Sequence, residues 1–82
     1  MGRAKRPRPK HLGKKLKRIR EGLELSQAAM CDRLSFPTIH PAHISGYERG
    51  VREPPYPVLL QYAKLAGVST DVLIDDGLRL PK

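Results

Sequence analysis

Ile44-Ser45-Gly46-Tyr47-Glu48-Arg49-Gly50 begins ten residues beyond the end of Ser26-Gln27-Ala28-Ala29-Met30-Cys31-Asp32-Arg33-Leu34, and the two stretches together decide the fold. Ile44 and Tyr47 stand three apart on one helical face, and Gly50 suits the left-handed residue that follows a helix. In the earlier stretch Met30 and Leu34 share a face at a spacing of four. Ser26 precedes it as an N-cap whose hydroxyl can accept an orphan backbone N–H. A short helix, a turn and a second short helix present the second helix to a DNA groove. The pattern therefore points to double-stranded DNA as the partner.

Working outward, the sequence predicts an all-α chain of five helices. Helix 1 is expected from about His11 to Leu23, with Leu12, Leu16, Ile19 and Leu23 at intervals of four, three and four and with Lys14, Lys15, Lys17 and Arg18 on its other face. Gly22 and the break before Ser26 end it. Residues 35–40 connect helix 2 to helix 3, and Pro41 sits in the first turn, where no N–H is needed. Helix 3 is expected over Pro41–Arg49, with Ile39, Ile44 and Tyr47 inward and Ala42, His43, Ser45, Gly46 and Arg49 among the outward positions. Glu53-Pro54-Pro55-Tyr56-Pro57 is a stiff linker, and Pro57 can open a fourth helix that stops at Gly67. Ser69 can cap a fifth through Ile74. Asp75-Asp76-Gly77 is a turn signal, and Leu78-Arg79-Leu80-Pro81 alternates like an extended segment. The expected organisation is a disordered basic arm over 1–10, a helical domain over 11–76 and a C-terminal tail over 77–82.

Charge is unevenly spread along the 82 residues. Residues 1–20 hold ten basic and no acidic side chains, whereas residues 21–82 hold six basic and eight acidic ones, so the net +8 resides at one end. Such a block attracts polyanions by phosphate contact and counterion release. Arg3, Lys5, Arg6 and Arg8 are read as an arm that touches DNA, in the manner of minor-groove arms. A solubilising tail is the alternative, and Lys5-Arg6-Pro7-Arg8-Pro9-Lys10 also has the composition of a nuclear localisation signal.

Other chemistries have little support. The chain has room for one domain and no separate catalytic domain, and no nucleophile-base set or Gly-rich phosphate loop is evident. It is read as a non-enzyme without cofactor. The single Cys31 cannot form an internal disulfide and reads as a small packed hydrophobe. His40, His43 and Cys31 fall short of a zinc ligand set. No apolar run approaches the roughly 20 residues of a membrane helix, and a cytoplasmic, nucleoid-associated location is expected.

From Leu12 to about Asp75 the chain resembles the Cro and phage-repressor, or XRE, helix-turn-helix family. The matching residues are Leu25-Ser26-Gln27, Arg33-Leu34, Ile44-Ser45 with Tyr47-Glu48-Arg49-Gly50, a proline-led helix with Leu59-Leu60 and Ala63, and Gly67-Val68-Ser69 before Asp71-Val72-Leu73. The resemblance implies a compact lambda-repressor-like five-helix bundle that regulates transcription, usually by repression as a dimer on a two-fold operator. It implies that Gln27, beside Ser26 at the helix 2 N-terminus, touches a phosphate, and that the readers are Ala42, His43, Ser45 and Gly46, of which His43 and Ser45 are the good hydrogen-bonders. Arg49 and Arg52 suit phosphates, as do Lys14 and Lys15, although Arg49 can instead pair locally. Glu48 looks structural.

Two departures stand out. The Leu34 to Ile44 separation exceeds the common family spacing by three residues, and Ser35 replaces the glycine often found at the turn. Gly46 also stands where relatives often carry a long polar or basic reader, so modest base specificity is expected, with a larger share from the arm, DNA shape and phosphates. A homodimer is expected from family habit and from Val72, Leu73, Ile74, Leu78 and Leu80, with Leu78 and Leu80 folding back onto their own core as the alternative. Rival functions are an antitoxin-like regulator that also binds a toxin partner, and a protein-interaction adaptor on the same scaffold.

Overall fold

Helix ends, more than helix interiors, organise this chain. The computed structural model describes residues 9–81 and contains α1 (Leu12–Gly22), α2 (Gln27–Leu34), α3 (Pro41–Arg49), α4 (Tyr56–Ala66) and α5 (Thr70–Ile74), with no strand among the described residues. Arg3, Lys5, Arg6 and Arg8 of the expected arm lie outside the described residues. The first four helices each end in a left-handed residue: Glu24 (φ 59°), Ser35 (φ 62°), Gly50 (φ 76°) and Gly67 (φ 71°). After α1, α3 and α4 the same pair of backbone bonds closes the helix. Leu25 N–H reaches Arg20 O and Glu24 N–H reaches Glu21 O, Val51 and Gly50 do the same to Gly46 and Tyr47, and Val68 and Gly67 to Ala63 and Lys64. These are Schellman closures. After α2 a single bond runs from Ser35 N–H to Cys31 O. Gly22, expected to end helix 1, is its last helical residue, and the left-handed turn is carried two residues later by Glu24.

The core gathers every helix. Leu12, Leu16 and Ile19 of α1, Met30 and Leu34 of α2, Ile44 and Tyr47 of α3, Val58, Leu59, Tyr62 and Ala63 of α4 and Leu73 of α5 are buried together. Full burial of such side chains stabilises by about 1.5–3 kcal/mol each, against about 1 kcal/mol for a typical hydrogen bond. Burial therefore sets the stability, and the closures set where each helix stops. The longer connection between α2 and α3 joins this core: Phe36 and Ile39 pack against it, Ile39 N–H bonds Phe36 O at 3.1 Å, and the Cys31 thiol donates to Ile39 O at 3.0 Å. Phe36 and Ile39 thus anchor the connection, with Pro37 and Thr38 exposed between them, and Cys31 is tied to this anchor.

α1 meets α3 at backbone distance. A methyl group at Gly13 would lie 2.6 Å from Glu48 O and 2.8 Å from Tyr47 O, both main-chain atoms that cannot swing aside. α1 is joined to the end of α5 by charge-assisted bonds. Asp76 Oδ2 accepts Lys10 N–H at 2.9 Å and Oδ1 accepts His11 N–H at 3.1 Å, supplying the cap that the His11 side chain does not. These two backbone bonds hold the Asp76 carboxyl below its ordinary pKa. In return Lys15 Nζ donates to Val72 O at 2.7 Å and Asp75 O at 3.0 Å, covering the carbonyls at the C-terminus of α5.

Two sequence expectations need correction here. Lys15, read as a phosphate contact, is 7% exposed and its ammonium is consumed by α5. Leu73 and Leu80, counted among the residues for a dimer surface, belong to the domain's own packing: Leu73 is fully buried and Leu80 lies against the core, whereas Ile74 and Leu78 remain exposed.

Opposite mutational effects follow from these backbone positions. Gly13→Ala is expected to destabilise by about 1–3 kcal/mol through overpacking. Glu24→Gly relieves a left-handed residue and is expected to stabilise by roughly 1 kcal/mol, which for a domain of this size raises Tm by roughly 4–8 °C. Thermal denaturation of both variants checks the two signs.

Candidate nucleic-acid interface

The angle at which α3 is presented is set by a side-chain bond. Arg20, in the last turn of α1, donates from Nε to Glu48 Oε2 at 2.6 Å and from Nη2 to Glu48 Oε1 at 3.1 Å, while Nη1 reaches Leu25 O at 2.9 Å. Gln27, the first residue of α2, adds Nε2 to Glu48 Oε1 at 3.2 Å. One carboxylate thus ties α3 to both preceding helices, with the Arg20 and Glu48 side chains only 13% and 4% exposed. The bidentate geometry holds the guanidinium charged, raising its pKa further above its ordinary value. Glu48 has the structural role expected for it. Beneath this pair lies the fully buried Tyr62, whose hydroxyl has no partner among the described residues; burial pushes its pKa well above the ordinary phenol.

At the start of α2 the Ser26 hydroxyl accepts Ala29 N–H at 3.0 Å. The N–H groups of Gln27 and Ala28 have no intrahelical acceptor, because they open the helix, and they carry the positive end of its dipole. The Gln27 side chain leans on Glu48, which leaves its amide oxygen and these N–H groups as the polar surface of this end.

α3 starts from His40, whose extended backbone (φ −120°, ψ 162°) is the conformation that the following Pro41 favours. His40 N–H donates to His43 Nδ1 at 2.9 Å, and the two imidazoles stack with centroids 5.5 Å apart. Of the expected readers, Ala42 is exposed and His43 and Ser45 are half-exposed. Gly46 is buried, which corrects its placement among the outward positions. A methyl group there would meet the Arg52 Cβ at 3.1 Å, so Gly46 is the seat on which the Arg52 chain lies. Among the described residues Arg49 pairs with no acid, and its Nε donates to Ser45 Oγ at 3.2 Å.

A groove of about 350 Å³ runs between the N-terminus of α1 and the C-terminus of α3, and Lys10, Lys14, Arg49 and Arg52 share its lining. The structure thus brings Lys14 together with Arg49 and Arg52, and separates it from Lys15. Sequence reasoning missed the seat function of Gly46, the caps made by Lys15 and Asp76, and the closeness demanded at Gly13. The burial of Lys15 had a signal in the sequence, because Leu12, Lys15, Leu16 and Ile19 follow the i, i+3, i+4, i+7 spacing of a single buried face, but its partners, the carbonyls of α5, did not. Among the described residues no cluster of His, Cys, Asp or Glu is placed to hold a metal ion, and no helix is long and apolar enough to cross a membrane.

The family model described as helix-turn-helix matches residues 16–73, more than half of the chain. Among solved structures, the P22 c2 repressor in complex with a synthetic operator superimposes with a TM-score of 0.69 at 28% identity, over 79% of this chain and 94% of that one. No protein of curated function matches the sequence.

Two measurements probe this geometry. Arg20→Met leaves the nearly buried Glu48 carboxylate without its main partner and is expected to cost about 3 kcal/mol in unfolding free energy, the scale for breaking a buried pair from one side. His43 has its pKa lowered, first by desolvation and then by the positive charges of Arg52 and His40. A lowered histidine pKa contributes stability that is present above the ordinary value near 6.5 and is lost as pH falls through the folded value. An NMR titration is expected to find the His43 ring protonating below pH 6.5, with the His40 amide signal shifting in step.

Proposed function

Because the chain belongs to the helix-turn-helix family of the Cro and phage-repressor type, we propose that this DNA-binding regulator is a repressor that inserts α3 into the major groove. In this reading His43 and Ser45 meet base edges, with Ala42 beside them. The polar start of α2 at Ser26 and Gln27 meets one phosphate, and Lys14, Arg49 and Arg52 meet others across the basic groove. Arg3, Lys5, Arg6 and Arg8 extend the phosphate contact from the arm.

The observation that carries the proposal is the joint setting of α2 and α3. The open N–H groups of one helix and the exposed N-terminal half of the other are held in one frame by Glu48, which is the arrangement needed to position on phosphates while reading bases. The match to a repressor bound to operator supports the same assignment. Two side chains with hydrogen-bonding capacity on the reading face make a weak direct readout, so phosphate contacts and DNA shape carry much of the affinity.

We further propose a homodimer on a two-fold operator. Support comes from an apolar groove of about 630 Å³ bordered by Pro54, Pro55, Tyr56, Pro57, Leu59 and Ile74, beside which Tyr56 and Leu60 are also solvent-exposed at 71% and 47%. An apolar patch of this kind on so small a domain is a candidate protein-binding surface. A toxin or other protein partner is the alternative occupant.

Selection of bound genomic fragments at near-physiological salt is expected to recover a shared two-fold motif near promoters; uniform recovery would contradict repression at an operator. Lys14→Ala is expected to weaken binding on all sequences alike and to lower the log–log salt slope by about 1. Sedimentation with and without the selected DNA reads the oligomeric state directly, and monomer in both at tens of micromolar would refute the dimer.

A further inference from the structure

The hydrogen bond at the start of α3 has a chemical consequence for the reading face. His40 N–H is a main-chain donor that cannot accept, so the ring nitrogen 2.9 Å from it, His43 Nδ1, must carry a lone pair and no proton. A neutral imidazole has one proton to place. It is therefore on Nε2, the nitrogen on the far edge of the ring, which has no hydrogen-bond partner among the described residues. Three features hold this arrangement. Pro41 restrains His40 to the extended backbone that aims its N–H. Stacking on the His40 ring limits rotation of the His43 ring. Desolvation, and after it the nearby Arg52 charge, disfavours a second proton.

We propose that His43 acts on DNA as an obligate hydrogen-bond donor through Nε2–H, and that it therefore selects guanine at the position it faces. This rests on the reading of α3 as the helix in the major groove. In that groove guanine offers two neighbouring acceptors, N7 and O6, and no donor. Cytosine offers only the N4 amino donor, which opposes Nε2–H, and adenine sets a donor beside its N7 acceptor. Thymine offers O4 beside a methyl group, a single acceptor against guanine's two. A histidine free to exchange tautomers would tolerate donors and acceptors alike, so the cap at the helix start is what turns an ambiguous side chain into a selective one.

Binding-site selection with the full chain and with His43→Ala identifies the position whose preference depends on this residue. The expected base there is guanine. Replacing that guanine by 7-deazaguanine, which lacks N7, or by 2-aminopurine, which lacks O6, is expected to cost the wild-type protein roughly tenfold in Kd on at least one of the two, and to leave His43→Ala unaffected. His43→Gln provides a second variant that preserves side-chain bulk. A glutamine amide both donates and accepts and pairs with the N6 and N7 edge of adenine, so the preferred base is expected to move from guanine to adenine.

The outcomes separate the layers of the argument. A His43-dependent position that prefers cytosine or adenine, or a guanine whose two analogues are both tolerated, overturns the donor assignment while leaving α3 as the reading helix. If His43→Ala folds normally yet alters no position, the assignment of His43 as a reader falls, and the donor proposal falls with it.

Discussion

Glu48 carries the constraint on which the rest of the molecule depends. A carboxylate 4% exposed is tolerable only when its charge is met, and here it is met by Arg20 in two bonds and by Gln27 in a third. Because these partners come from α1 and α2, neutralising one buried charge also fixes the mutual orientation of three helices. Apolar packing alone would leave that orientation softer, since side chains such as Leu16 and Met30 tolerate small rotations that a bidentate guanidinium–carboxylate pair does not. The outward face of α3 that carries His43 and Ser45 is thus positioned by a bond made elsewhere on the helix.

Much of this was legible in the sequence, and the exceptions have physical causes. Leu12, Leu16, Ile19, Met30, Leu34, Ile44 and Tyr47 were readable as core because helical periodicity reports burial directly. Ser26, Gly50 and Gly67 were readable as helix boundaries because their side chains, or lack of them, have local conformational preferences. Gly13 and Gly46 were not readable in their real roles. Their meaning depends on which backbone or side chain arrives from elsewhere, on Glu48 and Tyr47 in one case and on Arg52 in the other. Lys15 was misread for a related reason: a basic residue on a basic helix looks solvated until the carbonyls of α5 are brought to it by tertiary folding. The left-handed residue at Glu24 escaped notice because it lacks the glycine that usually marks such a turn, whereas Ser35, noted as standing in place of a turn glycine, does adopt that conformation.

The helix ends also connect stability to function. α3 begins with the His40–His43 bond and closes with the Gly50 turn, and each end shapes a surface that faces outward: a ring edge at one end and the Arg49 and Arg52 groove at the other. The longer connection before α3 is anchored on the core by Phe36 and Ile39, with Pro37 and Thr38 exposed, so the path lengthens while the residues just before the helix stay tied down.

The seat beneath Arg52 links two surfaces that a contact inventory would count separately. Any side chain introduced at position 46 must displace the Arg52 chain, and any shortening of Arg52 uncovers the helix at position 46. The two positions therefore form one heritable unit: lineages that place a side chain at 46 must re-solve the neighbouring cation at 52 at the same time, and single steps along that route are disfavoured relative to paired ones.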